Sequence, residues 1–172
     1  MTNKAIDVVW LLRKHMPEVI DIEGQSVEFP WSEEEFVRCL RGRNCIGKVV
    51  VLDEQVVGFM IYELHETRLQ VLNFGVHTDF RRRGVGRELF RKLALKLSHD
   101  RRTRILLEIR ETALDAQIFL RSIGFRAVSV LWGHFKDSGE DAYVMLMGIS
   151  PAEGASPKHC EAALPGIEAR ST

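Results

Sequence analysis

Several things are scarce in this chain, and each scarcity excludes something. Among 172 residues there are three cysteines, Cys39, Cys45 and Cys160, irregularly spaced and without a C-x-x-C pair. That excludes a disulfide framework and predicts a reducing, cytoplasmic setting. There is no net charge, because 24 Lys and Arg balance 24 Asp and Glu. A globally basic nucleic-acid binder is therefore not expected, nor an acidic solvating tail. No apolar run approaches the length of a membrane span, so no membrane partner is predicted. The opening MTNKAIDVVW lacks the long apolar stretch and small-residue cleavage site of a signal peptide. The six histidines, at positions 15, 65, 77, 99, 134 and 159, show no metal-ligand spacing, and no metal is predicted.

What is present is a globular composition, 45% apolar and 28% charged, at a length suited to one core. Residues 1–149 read as one domain. Residues 150–172 hold three of the five prolines and no helical or strand period, and read as a C-terminal appendage.

Hydrophobic periodicity orders the elements. Residues 6–13 predict a strand and 17–25 a helix. Ser32-Glu33-Glu34-Glu35 forms a capping box that opens a second helix to about Arg41. Residues 46–52, 56–64 and 69–76 predict an antiparallel meander with short polar turns. Val85, Leu89, Leu93 and Leu97 recur every four residues, marking an amphipathic helix. Residues 105–110 predict a strand. Thr112-Ala113-Leu114-Asp115 predicts a capped fourth helix that ends at Gly124. Residues 125–132 and 142–147 complete the pattern as strands. The fold class is α+β, a mixed and mostly antiparallel sheet of about seven strands flanked by about four helices.

The most informative segment is Phe74-Gly75-Val76-His77-Thr78-Asp79-Phe80-Arg81-Arg82-Arg83-Gly84-Val85-Gly86-Arg87. It passes from a strand through a short loop to the start of the amphipathic helix. A helix start offers unpartnered amides and the positive end of the macrodipole. Arginines at 81, 82, 83 and 87 surround it, and glycines at 84 and 86 remove Cβ obstruction. From Arg81 to Arg104, ten Lys or Arg face two acids. A phosphate or diphosphate suits such a place. It is neither a Walker A loop nor a dinucleotide G-x-G-x-x-G.

The element order, with Arg81-x-x-Gly84-x-Gly86 after the fourth strand, resembles the GNAT superfamily of acetyl-CoA-dependent N-acetyltransferases over roughly residues 5 to 149. Phe29-Pro30-Trp31-Ser32, Leu107-Glu108-Ile109-Arg110, Ser122-Ile123-Gly124-Phe125 and Glu140-Asp141-Ala142 narrow the similarity to the RimI-like group, the ribosomal-protein-alanine N-acetyltransferases. The resemblance implies that Phe74, Gly75 and Val76 lie along the pantetheine arm of acetyl-CoA. Arg81, Arg82, Arg83, Gly84, Val85, Gly86 and Arg87 would then hold its diphosphate. It also implies that Phe29, Pro30, Trp31, His134 and Phe135 shape the acceptor site.

Acetyl transfer needs a neutral amine, and a carboxylate can take its proton. Glu108 is the candidate general base, on the strand face it shares with Arg104, Leu106 and Arg110. A strand-surface glutamate paired to Arg110 is the alternative reading of the same residue. Three features depart from the family. Its helical tyrosine, placed to protonate the leaving thiolate, aligns with Leu120; an asparagine that contacts CoA aligns with Ala113; and a Tyr-Tyr pair is replaced by His134-Phe135. His134 is then an alternative acid or substrate contact. The acceptor is expected to be a peptide or protein N-terminus, with a small-molecule amine, or a CoA-binding module without strong catalysis, as alternatives. A monomer or homodimer is expected.

Overall fold

The structure, a computed structural model, describes residues 6–149; the appendage predicted at 150–172, and Cys160 with it, lie outside the described residues. The elements run β1 (Asp7–Trp10), α1 (Met16–Ser26), α2 (Glu33–Leu40), β2 (Cys45–Leu52), β3 (Gln55–Leu64), β4 (Arg68–Val76), α3 (Val85–Ala94), β5 (Arg104–Arg110), α4 (Leu114–Ser122), β6 (Arg126–Leu131) and β7 (Ala142–Gly148). They form one seven-stranded sheet in the order β1-β2-β3-β4-β5-β7-β6. Only β4 and β5 run parallel; the other neighbours are antiparallel. A parallel pair needs a crossover, and α3 supplies it.

Strand alternation sorts the core onto two faces. Val49, Phe59 and Ile61 meet Met16, Val19 and Ile22 of α1 and Phe36 of α2. Their neighbours Val50, Met60 and Tyr62 join Leu89, Phe90 and Leu93 of α3 and Leu120 of α4 on the other face. Ser32 caps α2 as the sequence predicts: its hydroxyl accepts the Glu35 amide, and Glu35 accepts the Ser32 amide at 2.7 Å.

Three boundaries differ from the sequence reading. The first strand stops at Trp10 and passes into a 3-10 turn at Arg13–His15. α3 stops at Ala94, so Leu97 packs on the core from beyond the helix. α4 starts at Leu114 with no side-chain cap on Ala113, because the Thr112 hydroxyl is taken by the Glu140 carboxylate. Gln117 instead donates to the Arg110 and Glu111 carbonyls and closes that turn.

Candidate active site

The site arises where two parallel strands part. β4 pairs β5 from Arg68↔Arg104 to Val71↔Leu107 and no further. On its other edge β4 stays bonded to β3, with a bulge at Leu72: Tyr62 faces Val71 and Ile61 faces Asn73. A bulge bends its strand and turns the following residues. Leu72 packs on the α1 side, and Asn73 also reaches α1, donating to Glu23. The bulge therefore sits at the fork between the strands.

Beyond it the outer edge of β4 is open. The His77 amide donates to the Val57 carbonyl, which fixes the alternation of this antiparallel pair. Gly75 exchanges bonds with Phe59, whereas the backbone groups of Phe74 and Val76 point away from β3 into the gap. Of these, the Val76 carbonyl accepts the Arg81 guanidinium at 3.3 Å. Phe74 turns its ring into an aromatic cluster with Phe90 and Phe119.

The first turn of α3 faces the same region. Gly84 precedes it at φ +83°, a left-handed conformation that side chains disfavour, and no side chain caps the helix. Its first amides are left for another acceptor. Val85 is buried, so it has only backbone to offer, while Arg82, Arg83 and Arg87 are exposed around it. Arg83 lies over the Phe80 ring. Arg81 is differently employed: besides Val76 it donates to the Ser26 hydroxyl, tying the loop to the end of α1. The space above Gly86 is occupied by the Phe119 ring, 3.0 Å from where a Cβ would stand. The structure thus gives Gly86 a helix-packing role, whereas Gly84 serves the turn.

On the α1 and α2 face stands Glu108, the first residue of β5 past its last pairing with β4. Its carboxylate lies 2.7 Å from His134 Nε2, both side chains about one third exposed. The sequence named these two separately; the fold brings them together. Arg110, two residues on and on the same face, does not pair with Glu108. Its guanidinium donates to Asp137 at 2.5 Å, and to Glu140 and Ser138 at 2.8 Å. That guanidinium holds the Asp137 carboxyl below the usual carboxylate range, while bonds from Thr112, Ser138 and then Arg110 do the same for Glu140. It also stacks against Phe135, 4.0 Å from the ring centre, and Phe29 at 5.0 Å. Arg110 thereby clamps two loops over the end of β5. Phe29, Pro30 and Trp31 form one wall of a groove of about 480 Å³, with Phe135, Arg110 and Asp137 opposite.

One residue of this region carried no signal in the sequence. Glu23 is 2% exposed. Its Oε1 accepts the Trp31 amide at 3.1 Å and the Asn73 side chain at 2.9 Å, while Oε2 is buried without a partner. It joins α1, the groove loop and the β4 bulge. Burial pushes its carboxyl up, against the two hydrogen bonds that pull it down. A carboxyl raised on folding contributes stability that is full below its unfolded value, about 4.3, and is lost as pH rises through the folded value. Glu23→Gln keeps the accepting oxygen without the charge. Denaturation of both proteins between pH 4.5 and 7 is expected to show the parent losing ground to Glu23→Gln as pH rises. Glu23→Ala, which strands two donors, is expected to lose about 2 kcal/mol or more at any pH.

The position of the family tyrosine, Leu120, is fully buried in the core and has no proton to give. Cys39 and Cys45 are half-buried and face one another at 3.1 Å; burial pushes both thiols up, away from thiolate reactivity.

The sheet is thus forked between β4 and β5, with an uncapped helix on one face and a carboxylate on the other. The GNAT acetyltransferase domain family matches residues 44–127. Among curated relatives, the ribosomal protein bS18-alanine N-acetyltransferase of Salmonella typhimurium is 28% identical over 137 residues, 78% of this chain and 92% of its own. A putative enzyme of the same name from Bacillus subtilis is 24% identical over 77% of this chain and 88% of its own. The crystal structure of the Escherichia coli ribosomal-protein-S18-alanine N-acetyltransferase superposes with a TM-score of 0.74 at 25% identity, covering 88% of this chain and 99% of that one. Ard1 from Thermoplasma volcanium shares the fold, with a TM-score of 0.76 at 23% identity over 86% of this chain and 99% of its own.

Proposed function

We propose that this protein transfers the acetyl group of acetyl-CoA to the α-amino group of a peptide or protein N-terminus. The observation that carries the reading is the place of Glu108, at the fork where β4 leaves β5. On one side of that fork lie the open β4 edge and the uncapped α3 turn; on the other lies the groove. The relatives named as ribosomal-protein-alanine N-acetyltransferases support a protein acceptor.

The residues present fit acetyl-CoA. The outward backbone of Phe74 and Val76 can pair with the amides of a pantetheine arm, and the α3 amides with Arg82, Arg83 and Arg87 suit a diphosphate. Acetyl-CoA supplies the thioester, whose C–S bond is exchanged for a C–N bond to the amine. Phe29, Pro30, Trp31 and Phe135 line the approach of the amine. Glu108 takes the proton that the amine must lose, directly or through one water. His134 receives it from Glu108 and releases it to solvent from its exposed edge. The imidazole gives the proton a second site between the carboxylate and solvent. With Leu120 in the core, the departing thiolate takes its proton from water, which a thiol of ordinary pKa near 8.5 permits.

His134→Ala is expected to lower kcat about tenfold or more with CoA affinity unchanged, and free imidazole is expected to restore part of the rate. Restoration by imidazole reports a proton role, which a merely structural histidine would not show. The acceptor is tested by mass spectrometry after incubation with acetyl-CoA. Three acceptors are compared: peptides with a free α-amine, N-terminally blocked peptides containing lysine, and a polyamine. One acetyl group on the free α-amine alone supports the reading; acetylation of the polyamine alone overturns it in favour of a small-molecule amine.

A further inference from the structure

On the opposite flank of α3 from α4, over β1, β2 and β3, lies a cavity of about 130 Å³ that acetyl transfer does not use. Lys48 of β2, Lys92 of α3 and Lys96 just beyond α3 surround it, over an apolar lining that includes Met60 and Leu93. Lys92 stands in the last turn of α3 and Lys96 two residues past its end, and Lys48 meets them from the sheet. Among the described residues none of the three lysines forms an ion pair. Lys48 has only the Trp10 ring, 3.3 Å from its centre. Among the described residues, no acidic side chain lines the cavity.

Tyr62 supplies the second observation. It lines the same cavity and is 1% exposed, and its hydroxyl is buried with no hydrogen-bond partner. A buried hydroxyl left unpaired is costly and uncommon. It is also a neutral donor, since burial pushes its pKa up to about 12.

We infer that this cavity is a binding site for a phosphate group, either inorganic phosphate or the phosphoryl end of a small phosphomonoester. One tetrahedral oxyanion meets every unsatisfied feature together. It pairs three ammonium groups and relieves their mutual repulsion, and it accepts the Tyr62 hydroxyl. Lysine binds phosphate as a point charge, without the planar fork an arginine would need to place. At about 130 Å³ the cavity has room for one such anion. This site is separate from the α3 amides at residues 84–87 and stands whether or not the acceptor assignment is right.

The test is calorimetric titration of inorganic phosphate, and in parallel of glycerol 3-phosphate, into protein already saturated with CoA, at ionic strength matched with sodium chloride. Saturation with CoA removes the α3 N-terminus from the measurement. Saturable binding is expected in the parent, weakened about tenfold or more in Lys48→Gln and in Lys92→Gln/Lys96→Gln, and about threefold or more in Tyr62→Phe. CoA affinity is expected to be unchanged in all three variants. Tyr62→Phe loses only an unpaired hydroxyl, so it is expected to fold as the parent does and keeps the test open should a lysine variant fold poorly. Tighter binding of the ester identifies a phosphomonoester, and tighter binding of phosphate identifies the free anion. No saturable uptake by the parent, or uptake undiminished in Tyr62→Phe and in the lysine variants, overturns the assignment.

Discussion

Glu108→Gln is expected to lower kcat by about two to four orders of magnitude while leaving CoA affinity and the folded stability nearly unchanged. The substitution keeps the size of the side chain and its ability to hydrogen-bond His134 Nε2, now 2.7 Å from the carboxylate. It removes the ability to take a proton. Glu108 is about one third exposed, so no large desolvation energy is released when its charge is lost. A steady-state assay at saturating peptide, paired with a CoA titration, separates the two effects. Loss of CoA affinity together with rate would show that Glu108 supports the cosubstrate site instead. A fall of less than about threefold would remove it from proton transfer altogether, and with it the role assigned to His134.

Gly58→Ala is the second large effect, and it lies on β3 at a residue that itself has no chemical role. A Cβ at this position would stand 2.8 Å from Val85 Cγ1 and 3.2 Å from the Gly75 carbonyl oxygen. The carbonyl belongs to β4 and is locked in the β3 ladder. Val85 is the first residue of α3 and is buried against the sheet. The added methyl therefore has to lift the first turn of α3, which carries the amides assigned to the diphosphate. Overpacking of this kind costs about 1–3 kcal/mol of stability. CoA affinity is expected to fall by about tenfold or more, because donors displaced even slightly no longer converge on one anion. Acceptor KM at saturating acetyl-CoA is expected to be unaffected, since the groove belongs to the other face. Thermal unfolding and a CoA titration of the same preparation check both statements.

The order of elements was legible because each buried face keeps its period: Val85, Leu89 and Leu93 every four residues on α3, and Ile105, Leu107 and Ile109 every second residue on β5. The Ser32 cap was legible because its two partners lie three residues apart. The Thr112 cap failed on the same rule, since the hydroxyl found Glu140, 28 residues away. The bulge at Leu72 has no glycine or proline to announce it. Glu23 reads as one more polar helix residue, and only the tertiary approach of Trp31 and Asn73 makes it a buried junction. Glu108 and His134 each stood out singly, one from a strand motif and the other from a departure from it. Their contact, like the stacking of Arg110 between Phe29 and Phe135, belongs to the fold of loops distant in sequence. The part of Arg81 was also hidden: a run of three arginines does not say which one turns back to Val76 and Ser26.

Every chemical step assigned here depends on the fork between β4 and β5 holding acetyl-CoA against the first turn of α3. Calorimetric titration of CoA into the folded protein tests that directly. One saturable site per chain, abolished or strongly weakened when Arg82, Arg83 and Arg87 are replaced together by Gln, is the predicted result. A folded protein that releases no binding heat, or an arginine variant that binds CoA as tightly as the parent, would contradict it.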